Sequence, residues 1–135
     1  MQKEKFAKEW DWKQVEDEQI WLEPSPRSIY LLNRWKKLNK ETFLDLGCGL
    51  GRHSLLFASN GFNVKAMDLS EESVRRVKEL FKEKGLNIDV KQGDMHHIPF
   101  EDKSIDCLLA YHVLTHTNLE GIKIISSELY RILSK

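Results

Sequence analysis

From Thr42 onward, short apolar runs alternate with longer stretches whose apolar residues recur three and four apart, a pattern that predicts strands followed by helices. Thr-Phe-Leu-Asp-Leu before Gly47 is the first strand, and Arg52 to Ser59 suits a helix that stops at Asn60-Gly61. Asn63-Val-Lys-Ala-Met is a second strand leading to Asp68. Ser70 can cap the next helix, Glu71 and Glu72 favour its positive end, Val74, Val77 and Phe81 form its inner face, and Gly85 stops it. Ile88-Asp-Val-Lys predicts a third strand and Ile105 to Tyr111 a fourth; Ile122, Ile125, Leu129 and Ile132 mark a last helix to the C-terminus. Such alternation implies parallel pairing, because each crossover returns the chain to the same end of the sheet. The expected class is α/β, a doubly wound, mainly parallel sheet of about four strands preceded by N-terminal helices.

The first 40 residues differ in texture, and residues 1–40 are expected to form a helical arm or lid on a domain spanning 41–135. Ser25-Pro26 is a helix start, after which Ile29, Leu32 and Trp35 make an apolar stripe. Phe6, Trp10, Trp12 and Trp21 add large apolar surfaces that suit a lid or a packing arm. With 135 residues, 41% hydrophobic and 31% charged, the chain has the makings of one core. Its 21 basic and 21 acidic side chains cancel. That removes the usual electrostatic reason for binding nucleic acid or an anionic membrane, and favours a small solute or a protein as partner. No apolar run approaches the roughly 20 residues that span a bilayer, and Met1 to Glu9 has no apolar run behind it. With two separated cysteines, Cys48 and Cys107, a cytoplasmic setting is expected.

In an open parallel sheet, ligands bind beyond the carboxyl ends of the strands. The informative residues fall at those ends: Asp45 to Gly51, Asp68, Asp94 with Met95, and Tyr111. Gly47, Gly49 and Gly51 leave the first turn without side chains, and the helix opening near Arg52 offers N–H groups to a carboxylate or phosphate. A dinucleotide fingerprint would place its last glycine at Arg52; here the third glycine comes one residue early, which weakens a nicotinamide-dependent oxidoreductase as the alternative. Asp68 is placed to accept ribose hydroxyls, Asp94 to accept an adenine amino group, and Met95 to touch the ring. Together these residues describe an adenosine pocket.

Leu44-Asp-Leu-Gly-Cys-Gly-Leu-Gly-Arg, Met67-Asp-Leu-Ser, Gln92-Gly-Asp-Met, Ile98-Pro-Phe and Ser104-Ile-Asp-Cys-Leu-Leu-Ala, in that order, resemble the successive motifs of class I S-adenosylmethionine-dependent methyltransferases. The resemblance runs from about Thr42 to the C-terminus and implies a Rossmann-like fold with S-adenosylmethionine as cofactor. It further implies that the glycine loop holds the methionine part and that Asp45 lies near its amino group. Asp68 takes the ribose, with Leu69 beside it among the cofactor-binding residues; Asp94 and Met95 take the adenine, and Tyr111 borders the methyl-transfer site. The implied activity is direct, in-line methyl transfer to a small-molecule acceptor. Relatives continue past the position of Lys135 into Pro-Gly-Gly and a fifth strand, so the resemblance also implies a C-terminally truncated domain. Two consequences are expected: a possible homo-oligomer through an exposed fourth-strand edge, or a non-catalytic cofactor-binding module completed by a partner chain.

Other residues carry alternative readings. His112 and His116, with His96-His97 at a neighbouring strand end, could be drawn as a metal site, but no carboxylate completes a recognised spacing and no metal is expected. One of these histidines could serve as general base for an oxygen or nitrogen acceptor, or simply line the cleft. Cys48 has no base beside it in sequence and is read as a small apolar filler. The charged run Lys78 to Lys84 is read as a solvated helix face.

Overall fold

The computed structural model describes residues 22–111 and 117–134. Phe6, Trp10, Trp12 and Trp21, expected as a lid, and His112 and His116 lie outside them. The described residues form α1 (Pro26–Lys37), β1 (Thr42–Leu46), α2 (Arg52–Ala58), β2 (Asn63–Asp68), α3 (Glu71–Lys84), β3 (Asp89–Gln92), β4 (Cys107–Leu109) and α4 (Leu119–Ile132). All strand pairs are parallel, in the order β3-β2-β1-β4. The chain winds outward from β1 to β3 and then returns to β1's other side, which makes the β1/β4 boundary the point where strand order reverses. This is the α/β architecture the hydrophobic pattern predicts.

Strand alternation divides the core between the two faces of the sheet. Phe43, Val64, Cys107 and Leu109 pack with Leu32 of α1 and Phe57 of α2, and Phe43 stacks on Phe57 with ring centroids 3.7 Å apart. Further along the same face, Ala66 and Val90 meet Val74, Val77 and Phe81 of α3. On the opposite face, Leu44, Leu46 and Met67 meet Ile98, Phe100, and Ile125 and Ile132 of α4. The helix ends follow the expected chemistry: Ser25 and Ser70 cap α1 and α3 by accepting from Ser28 and Ser73 N–H groups, and Asn118 caps α4 by accepting from Gly121.

Four boundaries or faces differ from expectation. The third strand runs Asp89–Gln92, because Asp89 pairs with Lys65 and Gln92 with Asp68. The fourth strand is only Cys107–Leu109: Ile105 donates its N–H to the Ile132 carbonyl and accepts from Ser134, pairing in parallel with Leu133 rather than with β1. The start of that edge is therefore covered by the chain's own segment after α4. In α1 the inward stripe is Ser28, Leu31, Leu32 and Trp35, leaving Ile29 exposed. In α4, Gly121 takes the buried place expected of Ile122, which is exposed.

No regular helix links β3 to β4. The loop is instead held to α4 by side chains: Arg131 donates to the carbonyls of Ile98 (2.7 Å) and Phe100 (2.8 Å), and Glu128 accepts from the Ile98 N–H at 2.7 Å. These bonds satisfy polar backbone that would otherwise be stranded beside the apolar Ile98 and Phe100.

Candidate cofactor cleft

Gly47, Gly49 and Gly51 sit at φ of +73°, +57° and +89°. The left-handed region disfavours side chains, so glycine is the residue that lets the chain make this turn. The turn is pinned to the end of β2: the N–H groups of Gly47 and Cys48 donate to the Met67 carbonyl at 2.8 and 3.0 Å. Gly51 is also a packing glycine, since a Cβ there would stand 3.1 Å from Val77 Cγ2 of α3. The Ser73 hydroxyl donates to the Gly49 carbonyl, fixing the turn from the other side.

Asp68, at the carboxyl end of β2, accepts from Gly49 N–H through Oδ2 and from Ser70 N–H through Oδ1, both at 2.9 Å. These two bonds, one to each oxygen, orient the carboxylate at the end of the strand. The backbone after it is braced by β3, as Gly93 donates to the Asp68 carbonyl at 3.0 Å. Leu69, partly buried, offers its carbonyl to Gln92 at 3.4 Å.

Asp45 is placed differently. It shares the sheet face of Phe43, lies under α2 and is only 2% exposed. Its Oδ2 accepts from the N–H and hydroxyl of Ser54, at 3.0 and 2.7 Å. One of the helix-opening N–H groups expected to face a ligand is thereby spent on the protein's own acid. Burial is the main reason the Asp45 carboxyl is pushed up to about 6, with the Ser54 bonds acting in the opposite direction. Cys48 is buried, which pushes its thiol well above the usual range and leaves it unsuited to nucleophilic chemistry.

Asp94 and Met95 follow β3 at one edge of the sheet, and Tyr111 follows β4 at the other. Asp94 Oδ1 accepts from the His96 N–H at 2.9 Å and pairs with His96 Nδ1. Met95 packs on the α4-side core. Tyr111 lies edge-on to His53, with centroids 5.3 Å apart, and beneath the Arg52 guanidinium at 5.3 Å. Arg52 also donates to the Glu23 carbonyl at 3.1 Å, and His53 Nε2 accepts from Ser25 N–H at 3.2 Å. Burial drops the His53 imidazole to about 4, so it stays neutral and can act as acceptor at neutral pH. These contacts of Arg52 and His53 tie the start of α1 to the cleft mouth and carry no signature in the sequence, because their partners are backbone groups 28 and 29 residues away.

The fold thus brings the glycine turn, Asp68 and Leu69 to adjoining strand ends, with Asp94 after β3 and Tyr111 after β4, and buries Asp45 below the turn against Ser54. Asp68 and Asp94 present carboxylates at neighbouring strand ends, and the bonds from the His96 N–H and ring both go to Asp94 Oδ1. Among the described residues, no group of three His, Cys, Asp or Glu side chains is placed to hold a metal ion, and no helix is long and apolar enough to cross a membrane.

Residues 43–135 match the family described as methyltransferase domain. The chain is 29% identical over 111 residues to an uncharacterized methyltransferase of Schizosaccharomyces pombe, covering 76% of this chain and 39% of that protein. It is 27% identical over 86 residues to the ubiquinone biosynthesis O-methyltransferase of Rickettsia felis, covering 64% of this chain and 35% of that one. A solved SAM-dependent methyltransferase of Methanosarcina mazei superposes with a TM-score of 0.67 at 25% identity, covering 84% of this chain and 54% of that one. The chain therefore spans well under half the length of these two curated relatives.

Proposed function

The chain belongs to the methyltransferase domain family, with the fold of class I S-adenosylmethionine-dependent methyltransferases, and from that premise we propose that it binds S-adenosylmethionine and takes part in methyl transfer to a small-molecule acceptor. The observation that carries the reading is the glycine turn held against Asp68, whose carboxylate is oriented by the Gly49 and Ser70 N–H groups at the carboxyl end of β2. Gly47 and Gly49 give the methionine portion close approach to backbone; Leu69 lines the ribose side; Asp94 and Met95 take the adenine; Tyr111 borders the transfer site. Asp45 and Gly51 support the turn from below, through Ser54 and through packing on Val77.

When bound, the sulfonium supplies an activated methyl: an acceptor lone pair forms the new bond to carbon, and the breaking C–S bond returns its pair to sulfur. Alignment of acceptor and methyl then accounts for much of the rate, up to roughly 7–11 kcal/mol in favourable intramolecular systems, so no protein nucleophile is required. The balance of 21 basic against 21 acidic side chains favours a small acceptor over a nucleic acid.

Calorimetric titration with S-adenosylmethionine tests the first step, and release of S-adenosylhomocysteine in the presence of small hydroxyl and amine acceptors tests the second. Saturable one-to-one binding followed by acceptor-dependent release is expected. A folded sample with no saturable heat contradicts the cofactor assignment; binding without release from any acceptor class leaves a binding module instead of an enzyme.

A further inference from the structure

His96 has features that a loop histidine does not need. Its side chain is 6% exposed, while that of Asp94 is 38% exposed. Nδ1 pairs with Asp94 Oδ1, and Nε2 lies 2.9 Å from the hydroxyl of Thr117, the residue before the α4 cap. A carboxylate only accepts, so Nδ1 must carry a proton; in the neutral ring Nε2 is then the acceptor and Thr117 the donor. The ring is seated against Gly121 of α4, where a Cβ would fall 2.5 Å from His96 Nε2 and closer still to Thr117 Oγ1. Glycine is a poorer helix former than alanine, and here it makes the space the histidine fills.

We infer that His96 is a positioning residue that sets the purine selectivity of the cleft: braced by Thr117 and Gly121, it holds Asp94 by Oδ1 and leaves Oδ2 to accept from a 6-amino purine and to repel a 6-oxo purine. The inference rests on the cofactor reading above. It assigns to a buried side chain on one wall a discrimination that Asp94, alone on a loop, would enforce weakly, because a free carboxylate turns to suit other donors. The His96 N–H, which also donates to Oδ1, fixes the acid locally; the ring adds a tether to α4.

The test compares the affinities of S-adenosylhomocysteine and S-inosylhomocysteine for the wild-type protein and its variants. A charge-assisted hydrogen bond corresponds to roughly 10- to 100-fold discrimination, which is the preference expected of the wild type. His96→Leu is expected to reduce that ratio to about 5-fold or less on the same reasoning, while His96→Asn, which keeps an N–H donor near the place of Nδ1, retains most of it. A wild-type ratio in His96→Leu, or equal loss in both variants, overturns the inference. Wild-type protein that binds neither nucleoside overturns the cofactor reading, and the inference with it. Should His96→Leu fail to fold, nitrogen NMR of the wild type decides: a protonated Nδ1 coupled to Asp94 is expected, and an unprotonated Nδ1 contradicts the tether.

Discussion

The two walls of the cleft position their acids by different means. On the glycine-turn wall, Asp68 is held by the N–H groups of Gly49 and Ser70, and the turn hangs from the end of β2 by further backbone bonds. On the opposite wall, Asp94 is held both by the local His96 N–H and by a ring that reaches across to Thr117. Backbone donors at neighbouring strand ends organise the first wall; a side-chain contact between the β3 loop and α4 organises the second. The difference teaches where each wall is vulnerable: the first to loss of a single carboxylate, the second to changes at the far end of a side-chain chain.

The largest expected effect comes from removing the acid of the first wall. Asp68→Ala loses the proposed diol acceptor and unpairs two backbone donors, and is expected to weaken S-adenosylhomocysteine binding roughly 100-fold, read by calorimetry. Undiminished binding would break the comparison by showing that the turn alone suffices.

Acid titration separates two buried groups beneath the first wall. Asp45, pushed up to about 6, holds its proton more tightly in the folded chain, so its contribution favours folding increasingly as pH falls from about 6 toward 4. His53, dropped to about 4, resists protonation when folded, so its contribution is present above the usual histidine value of 6.5 and is lost as pH falls toward 4. Each shift corresponds to on the order of 3 kcal/mol at most, and the two oppose one another. Relative to wild type, His53→Gln should gain stability between pH 7 and 4, and Asp45→Asn should lose it, as measured by denaturant unfolding. Parallel profiles for all three proteins would contradict the buried placement of both groups.

A smaller effect sharpens the second wall. Glycine to alanine within a helix ordinarily stabilises by up to about 1 kcal/mol. Gly121→Ala should instead lower stability by about 1–2 kcal/mol, because the new methyl overpacks His96 and Thr117. Thermal unfolding reads the sign, and a stabilised variant would show that His96 is free to move.

Most of the first wall was legible in the sequence because its residue types carry their own signals. Gly47, Gly49, Gly51 and Gly85 mark backbone turns, Ser70 caps the helix it precedes, and the strand-helix alternation implied the parallel pairing that brings Asp68 beside the glycine turn. Asp45 sits among those motifs, and its alternation with Phe43 places it on the face covered by α2, where it bonds Ser54. The fourth strand came out shorter because Ile105 is taken by Leu133, a pairing that apolar composition does not encode. On the second wall, Asp94-x-His96 is a readable local turn. Its bond to Thr117 spans 21 residues and depends on the vacancy at Gly121, so neither could be read before the fold was known.

The most direct test of the central claim is a crystal structure of the protein with S-adenosylhomocysteine. The account predicts ribose hydroxyls on Asp68, the adenine amino group on Asp94 Oδ2, and the amino-acid portion along Gly47–Gly49 with Asp45 still bonded to Ser54. A nucleoside bound elsewhere, or a turn closed over by protein side chains, would contradict it.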